Sequence, residues 1–369
     1  MAGSLKKREP DFVILFTVMM LLAIGLVMVF SASAIIAGQS HGDIYFHLRR
    51  QALWALIGFG GLLFFSHYDY WKLRRWTNIA LLVNLLLLLA VFIPGLGVEA
   101  GGAHRWIRVG GFTLQPSELT KVVMVLFASA YLSRKGVRMQ YFLEGAFPVL
   151  AVLGVFFGLI LLQPDLGTVL AIAGTSMVVI FVAGMPLRQL VVAALSGLPL
   201  VGYLMVSEDY RLQRILSFRD PWADPLGSGF QIIQSFYALG PGGLFGVGLG
   251  RSRQKLFYIP EPQNDFIFAI IGEELGFIGA ACVLLLFFLL LWRGFKVAMS
   301  APDMFGSLLA TGLISAVSLQ ALINIAVVTG SVPVTGINLP LISAGGSSLI
   351  FTMCSMGVLL NISKYTKPK

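Results

Sequence analysis

Residues 12–37 read FVILFTVMMLLAIGLVMVFSASAIIA, a run with no Asp, Glu, Lys or Arg. It exceeds the roughly 20 apolar residues that carry a helix across the hydrocarbon core of a bilayer. It is too long for the apolar core of a secretory leader and lacks a convincing cleavage site, so it is expected to stay as a helix. Working outward, the same criterion marks nine further segments near 50–66, 77–94, 117–133, 145–162, 166–184, 189–206, 265–292, 304–330 and 337–362. The fifth and sixth are joined only by Gln163-Pro164-Asp165. The seventh and eighth are separated by the one long polar segment, 207–264.

Composition agrees with lipid as the solvent. The 369 residues are 57% hydrophobic and 12% charged, where a soluble domain carries about 25% charged residues. Mean hydropathy is +0.86. The net charge of +9 does not point to nucleic acid, because Lys and Arg sit in short clusters between apolar runs. Lys6, Lys7 and Arg8 precede the first span, and Lys72, Arg74 and Arg75 follow the second. Arg134, Lys135 and Arg138 follow the fourth, Arg188 the sixth, Arg293 and Lys296 the eighth, and Lys364, Lys367 and Lys369 close the chain. Every even connection and both termini are therefore expected on the cytoplasmic side. The expected fold is an all-α polytopic membrane protein, a single domain over 1–369. It has ten transmembrane helices, cytoplasmic termini and one long extracytoplasmic loop between helices 7 and 8. Cys282 and Cys354 lie in apolar runs without metal-ligand spacing and read as core thiols.

The odd-numbered connections hold the unusual chemistry. Arg105-Trp106 reads either as an interfacial anchor or as part of a site. Lys121 lies one turn inside the fourth span, so it should face a cavity or pair with Glu118. Asp165 can cap the sixth helix or serve a site. The long segment carries Arg211, Arg214 and Arg219, then an amphipathic helix from Gly229 through Ser235. The glycine-rich strip 240–250 has no preceding strand and no βαβ unit, so it reads as a close-packed re-entrant turn rather than a nucleotide loop. Asp265 is expected to open the eighth helix, with Glu273 and Glu274 two turns deeper. On an unbroken helix Glu273 lies within about 80° of Asp265, so both would border one cavity. Acids on an apolar helix are costly and imply function. Ser347 and Ser348, in the small-residue run 343–348 of the tenth span, read first as packing, with substrate contact as the alternative.

Taken in order, several strings resemble the SEDS family (shape, elongation, division and sporulation), which contains RodA, FtsW and SpoVE. They are Phe30-Ser31-Ala32-Ser33, Gln115-Pro116-Ser117-Glu118, Gln163-Pro164-Asp165-Leu166-Gly167-Thr168, Gly229-Phe230-Gln231 and Gly243-Leu244-Phe245-Gly246. Pro260-Glu261 through Asp265-Phe266-Ile267-Phe268, Gly272-Glu273-Glu274-Leu275-Gly276 and Gly345-Gly346-Ser347-Ser348 complete the set. The stretches 253–263 and 333–336 look closer to FtsW and SpoVE than to RodA. Ala344 departs from the family pattern, where many relatives have tyrosine, and Thr335 stands where some FtsW proteins have lysine.

The resemblance implies a peptidoglycan glycosyltransferase. Such an enzyme polymerises lipid II at the outer face of the bacterial cytoplasmic (inner) membrane. Its partners would be a class B penicillin-binding protein and other division or sporulation membrane proteins, among membrane lipids. The family's essential aspartate falls on Asp265, assigned here as general base. Substrate-binding candidates are Arg105, Trp106, Lys121, Asp165, Arg211, Arg214, Glu261, Glu273, Ser347 and Ser348. A divalent cation, Mg²⁺ or Mn²⁺, has Asp165 and Glu261 as candidate ligands. The competing readings are a lipid II flippase and a non-catalytic scaffold of the division machinery. A flippase should carry polar groups near the midplane and on both faces.

Overall fold

The computed structural model describes residues 7–100, 103–110, 112–256 and 258–366. Lys6, Gly101, Gly102, Lys367 and Lys369 lie outside the described residues. The chain is mostly helical. Seven helices come first: α1 (Phe12–His41), α2 (Phe46–His67), α3 (Tyr70–Ala90), α4 (Pro116–Leu132), α5 (Phe147–Leu161), α6 (Leu166–Val182) and α7 (Leu187–Val206). Then follow α8 (Asp209–Arg219), α9 (Phe230–Gly242), α10 (Ile267–Met299), α11 (Met304–Val328) and α12 (Gly346–Ser363). Among the described residues, α1, α3, α7, α10, α11 and α12 are the six helices long and apolar enough to cross a membrane. α5 and α6 are shorter apolar helices of 15 and 17 residues. The expected amphipathic helix at 229–235 is α9, which buries Ile232, Ile233 and Ala238 and runs on to Gly242.

The all-α expectation needs one correction. The connection between α3 and α4 is a three-stranded antiparallel sheet, β1 (Gly97–Ala100), β2 (Ala103–Val109) and β3 (Phe112–Leu114). Val98 pairs with Trp106, and Ile107 with both Gly97 and Leu114. Gly110 takes φ 60°, the left-handed conformation that a two-residue hairpin turn requires. The signal was present in the sequence: Gly110-Gly111 stands between short runs of β-formers.

Two apolar clusters pack side by side. One joins α1, α2, α9, α10, α11 and α12 around Ile14, Leu21, Phe266 and Met353. The other joins α3 through α6 around Leu88, Met124, Leu153 and Ile172. α4 and α11 serve both, because adjacent residues on a helix point about 100° apart: Met124 and Leu308 enter one cluster, Val125 and Leu309 the other. At one end of the bundle, Asp11 caps α1 and pairs with Arg293 at 2.5 Å. There too, Asp303 accepts from the Tyr70 hydroxyl and from Trp71 Nε1.

α10 is broken. Gly276 takes φ 68° and ψ −166°, which leaves carbonyls and amides without helical partners. The glycine-rich strip supplies them. Val247 N donates to Glu273 O at 2.9 Å and Gly248 N to Glu274 O at 3.0 Å. In return, Phe277 N donates to Gly243 O at 2.9 Å and Ile278 N to Leu244 O at 3.1 Å. The strip is thus a close-packed turn, docked on the break. Gly246 has φ 79°, and a Cβ there would stand 2.1 Å from Glu274 O. Gly246→Ala is expected to cost about 1–3 kcal/mol, read as a lower thermal midpoint of the purified protein in detergent.

Candidate functional site

The odd-numbered connections converge on a cavity of about 610 Å³. Each contributes side chains: Arg50 from α2, Arg105 and Trp106 from the sheet, Asp165 before α6, Arg214 from α8, and Ser347 and Ser348 from α12. Glu261 and Asp265 come from the irregular segment that leads into α10.

Asp265 is placed by a turn rather than by a helix. Asn264 N donates to Glu261 O at 3.0 Å, and Glu261 itself takes φ 45°. Asn324 on α11 reaches across to hold the main chain, its Nδ2 donating to Asp265 O at 2.7 Å. Gly336 lies opposite, where an added Cβ would stand 3.9 Å from Asp265 Oδ2. Burial pushes the Asp265 carboxyl above its ordinary value of 3.8; the Glu261 carboxylate pushes the same way, while Arg214 opposes it. A carboxyl so placed holds its proton more strongly than an exposed aspartate and is a better base once ionised.

The cations stand on different walls. Arg105 ties the sheet to the α5–α6 turn: its Nε donates to Gln163 O at 2.9 Å and its Nη2 to Pro164 O. Arg214 donates to Val334 O at 3.3 Å, and its guanidinium lies over the Tyr210 ring. Asp165 is both a helix cap and part of the cavity wall. It caps α6 through Thr168 N at 3.1 Å, and its Oδ2 accepts from Thr168 Oγ1 at 2.8 Å while facing the cavity. Lys121 pairs with Glu118 at 2.7 Å and also donates to Gln320 Oε1 at 2.5 Å. Glu118 reaches the cavity wall, whereas Lys121 opens onto a small adjoining void between α4, α11 and α12. Ser347 Oγ accepts from Gln115 N at 3.3 Å.

Besides Lys121, two candidates fall outside the cavity. Arg211 is buried away from the cavity: its Nε donates to Tyr210 Oη at 2.8 Å and its Nη1 to Leu204 O at 2.9 Å, at the end of α7. Glu273 does not border the cavity with Asp265. α10 starts at Ile267, after Asp265, so the helical-wheel angle between the two carries no meaning. Glu273 is buried and accepts from Ser252 Oγ at 2.5 Å and Arg253 N at 2.8 Å.

Sequence reasoning missed the α2 wall. His47, Arg50, Gln51 and Trp54 all face the cavity. Their i, i+3, i+4, i+7 spacing is one face of a helix, and this was the available signal. Gln51 Nε2 donates to Ser343 O at 3.1 Å, steadying the turn before α12. Among the described residues no three His, Cys, Asp or Glu side chains gather as a metal centre.

Across residues 12–368 the chain matches the model of the FtsW, RodA and SpoVE proteins, described as "Cell cycle protein". The chain belongs to this family. It is 50% identical to Stage V sporulation protein E of Bacillus subtilis (strain 168) over 362 residues, covering 98% of this chain and 99% of that one. It is 45% identical to the probable peptidoglycan glycosyltransferase FtsW of Geobacter sp. (strain M18), covering 96% of each. Among solved structures it resembles a chain of a peptidoglycan synthase complex that coordinates polymerization and crosslinking. The TM-score is 0.78 at 32% identity, over 96% of this chain and 97% of that one. It also resembles Rod shape determining protein RodA of Thermus thermophilus, with a TM-score of 0.72 at 28% identity over 98% of each chain. As a member of this family, with several long apolar helices, the chain is a multi-pass membrane protein.

Proposed function

We propose that the chain is a peptidoglycan glycosyltransferase that polymerises lipid II for division or sporulation septum synthesis, with Asp265 as general base. The observation that carries this reading is the single cavity that unites the half-buried Asp265 carboxylate with Arg50, Arg105 and Arg214. The donor brings its own leaving group, undecaprenyl diphosphate. As the 4-hydroxyl oxygen of the acceptor's GlcNAc bonds to the donor's anomeric carbon, its proton passes to Asp265. The anomeric C–O bond to the diphosphate breaks with inversion, and the electron pair leaves on the diphosphate. The guanidinium groups are placed to stabilise that developing anion. Asp165 and Glu261 offer the hard oxygen donors that Mg²⁺ or Mn²⁺ takes beside substrate phosphates, where such an ion would neutralise charge.

In this reading ten helices span the membrane: α1 through α7 and α10 through α12. The termini are cytoplasmic and the cavity opens at the outer face of the cytoplasmic membrane. The clustering of basic residues in the even connections supports that orientation. A class B penicillin-binding protein is the proposed partner, consistent with the synthase complex whose chain this one resembles.

The test is polymerisation of labelled lipid II by the purified protein, with and without that partner, read as glycan ladders on a gel. Transport of fluorescent lipid II in liposomes without any polymer would instead establish a flippase. A pH profile adds a second check. The base works ionised, so the rate falls as pH drops through the Asp265 pKa. Because burial raises that pKa above 3.8, the acid limb of kcat/KM is expected above the range of an exposed aspartate, and Asp265→Asn should abolish the limb.

A further inference from the structure

The two acids that sit in α10 without touching the cavity form a buried network of their own. Glu274 Oε1 accepts from Lys255 Nζ at 2.8 Å, and its Oε2 from Ser31 Oγ of α1 at 2.6 Å. Lys255 Nζ also lies 3.3 Å from Ser31 Oγ. Ser252 N donates to Glu274 Oε1 at 3.3 Å, while Glu273 takes Ser252 Oγ and Arg253 N. Lys255 is 3% exposed and Glu274 is 0% exposed.

The geometry is a closed ring. From Lys255 the chain runs through the turn at 260–264 to Asp265, then up the half-helix 267–275 to Glu274, which returns to Lys255. The break at Gly276 separates this half-helix from the long membrane-buried remainder of α10, so the remainder cannot fix its direction rigidly. Backbone bonds from the strip 243–248 hold the far end, and they are neutral and pairwise. The one ionic contact between the half-helix and the loop that carries Asp265 is Lys255–Glu274, among the described residues. A buried ion pair adds little net stability over apolar side chains of similar size, and its value lies in fixing one arrangement.

We propose that Lys255 and Glu274 are positioning residues, whose ion pair sets the half-helix 267–275 and through it the place of Asp265 in the cavity. This rests on the reading of Asp265 as the base. The comparison uses the full-length protein with lipid II and two variants, Lys255→Met and the doubly neutral Lys255→Met/Glu274→Gln. The second removes both charges, so it keeps no unpaired buried ion. In both, kcat is expected to fall by up to about a hundredfold, as small misplacements of a catalytic group do. KM should stay within about twofold, since substrate binding does not use the pair. Hydrogen exchange should quicken in peptides covering 267–275 and stay unchanged in α11 and α12.

Parental kcat in the doubly neutral variant would overturn the proposal, as would a rise in KM at constant kcat or unchanged exchange in 267–275. If Lys255→Met alone exchanges faster everywhere, it has lost its fold, and the double variant decides. Full activity of Asp265→Asn would overturn the base assignment separately, and the exchange result would still show whether the ion pair holds the half-helix.

Discussion

Asp265→Asn protein is expected to lose about 10²–10⁴-fold of its lipid II polymerisation rate, the usual contribution of a positioned general base. It should lose no stability. The sign follows from the direction of the pKa. Burial raises the folded-state value of Asp265 above 3.8, so the ionised carboxylate is less favourable in the fold than in the unfolded chain. That cost is absent below the unfolded pKa, grows as pH rises through the shifted value, and is fully present above it. The amide of asparagine removes the charge while keeping the shape. At neutral pH the variant should therefore melt at or above the parent's midpoint while making little or no glycan. The measurement pairs a gel assay of polymer with a thermal melt in the same detergent. A variant that melted well below the parent would show that the carboxylate stabilises the fold, contrary to this account.

The second large effect is expected at Lys121. Its pair with Glu118 is 2.7 Å long, and the two side chains are 10% and 6% exposed. Lys121→Met strands Glu118 in that setting, and breaking a buried pair from one side costs about 3–5 kcal/mol. Gln320 loses its ammonium donor at the same time. Removing both charges, in Lys121→Met/Glu118→Gln, should restore most of the loss, because no buried ion then lacks a partner. Yield of folded protein and the thermal midpoint check this. The double variant also asks whether Glu118, which reaches the cavity wall, has a part in activity beyond holding Lys121.

Much of this was legible in the chain itself, and the failures share a cause. Apolar runs reveal helices because the bilayer leaves backbone groups no other partner, and all ten segments read that way overlap helices in the structure. Asp265 stood out because a carboxylate beside an apolar helix is expensive. The Lys121–Glu118 pair and the Asp165 cap were open to the same reasoning. What escaped were departures from regular helix. The sheet at 97–114 is marked only by two glycine pairs, Gly101-Gly102 and Gly110-Gly111. The break at Gly276 is one glycine among 41, and most glycines in such a protein serve packing. Counting Asp265 into a helix that begins only at Ile267 made Glu273 appear to share a face with it. Arg49 and Arg50 are adjacent in the chain, and only the fold separates them: Arg49 pairs with Asp43 at the surface while Arg50 faces the cavity.

The docking of strip 243–248 on the α10 break also determines which changes this region can absorb. Its four bonds to the break run from main chain to main chain, so residue type is constrained chiefly at the glycines with positive φ, Gly243, Gly246 and Gly248. They depend instead on spacing. One residue inserted between Gly243 and Gly248 would put each amide opposite the wrong carbonyl, and a deletion would do the same. Among natural relatives this stretch should therefore keep its length, and keep glycine at 243, 246 and 248, where φ is positive. Insertions should collect instead in segments with no such ladder, such as the exposed turn at 224–228.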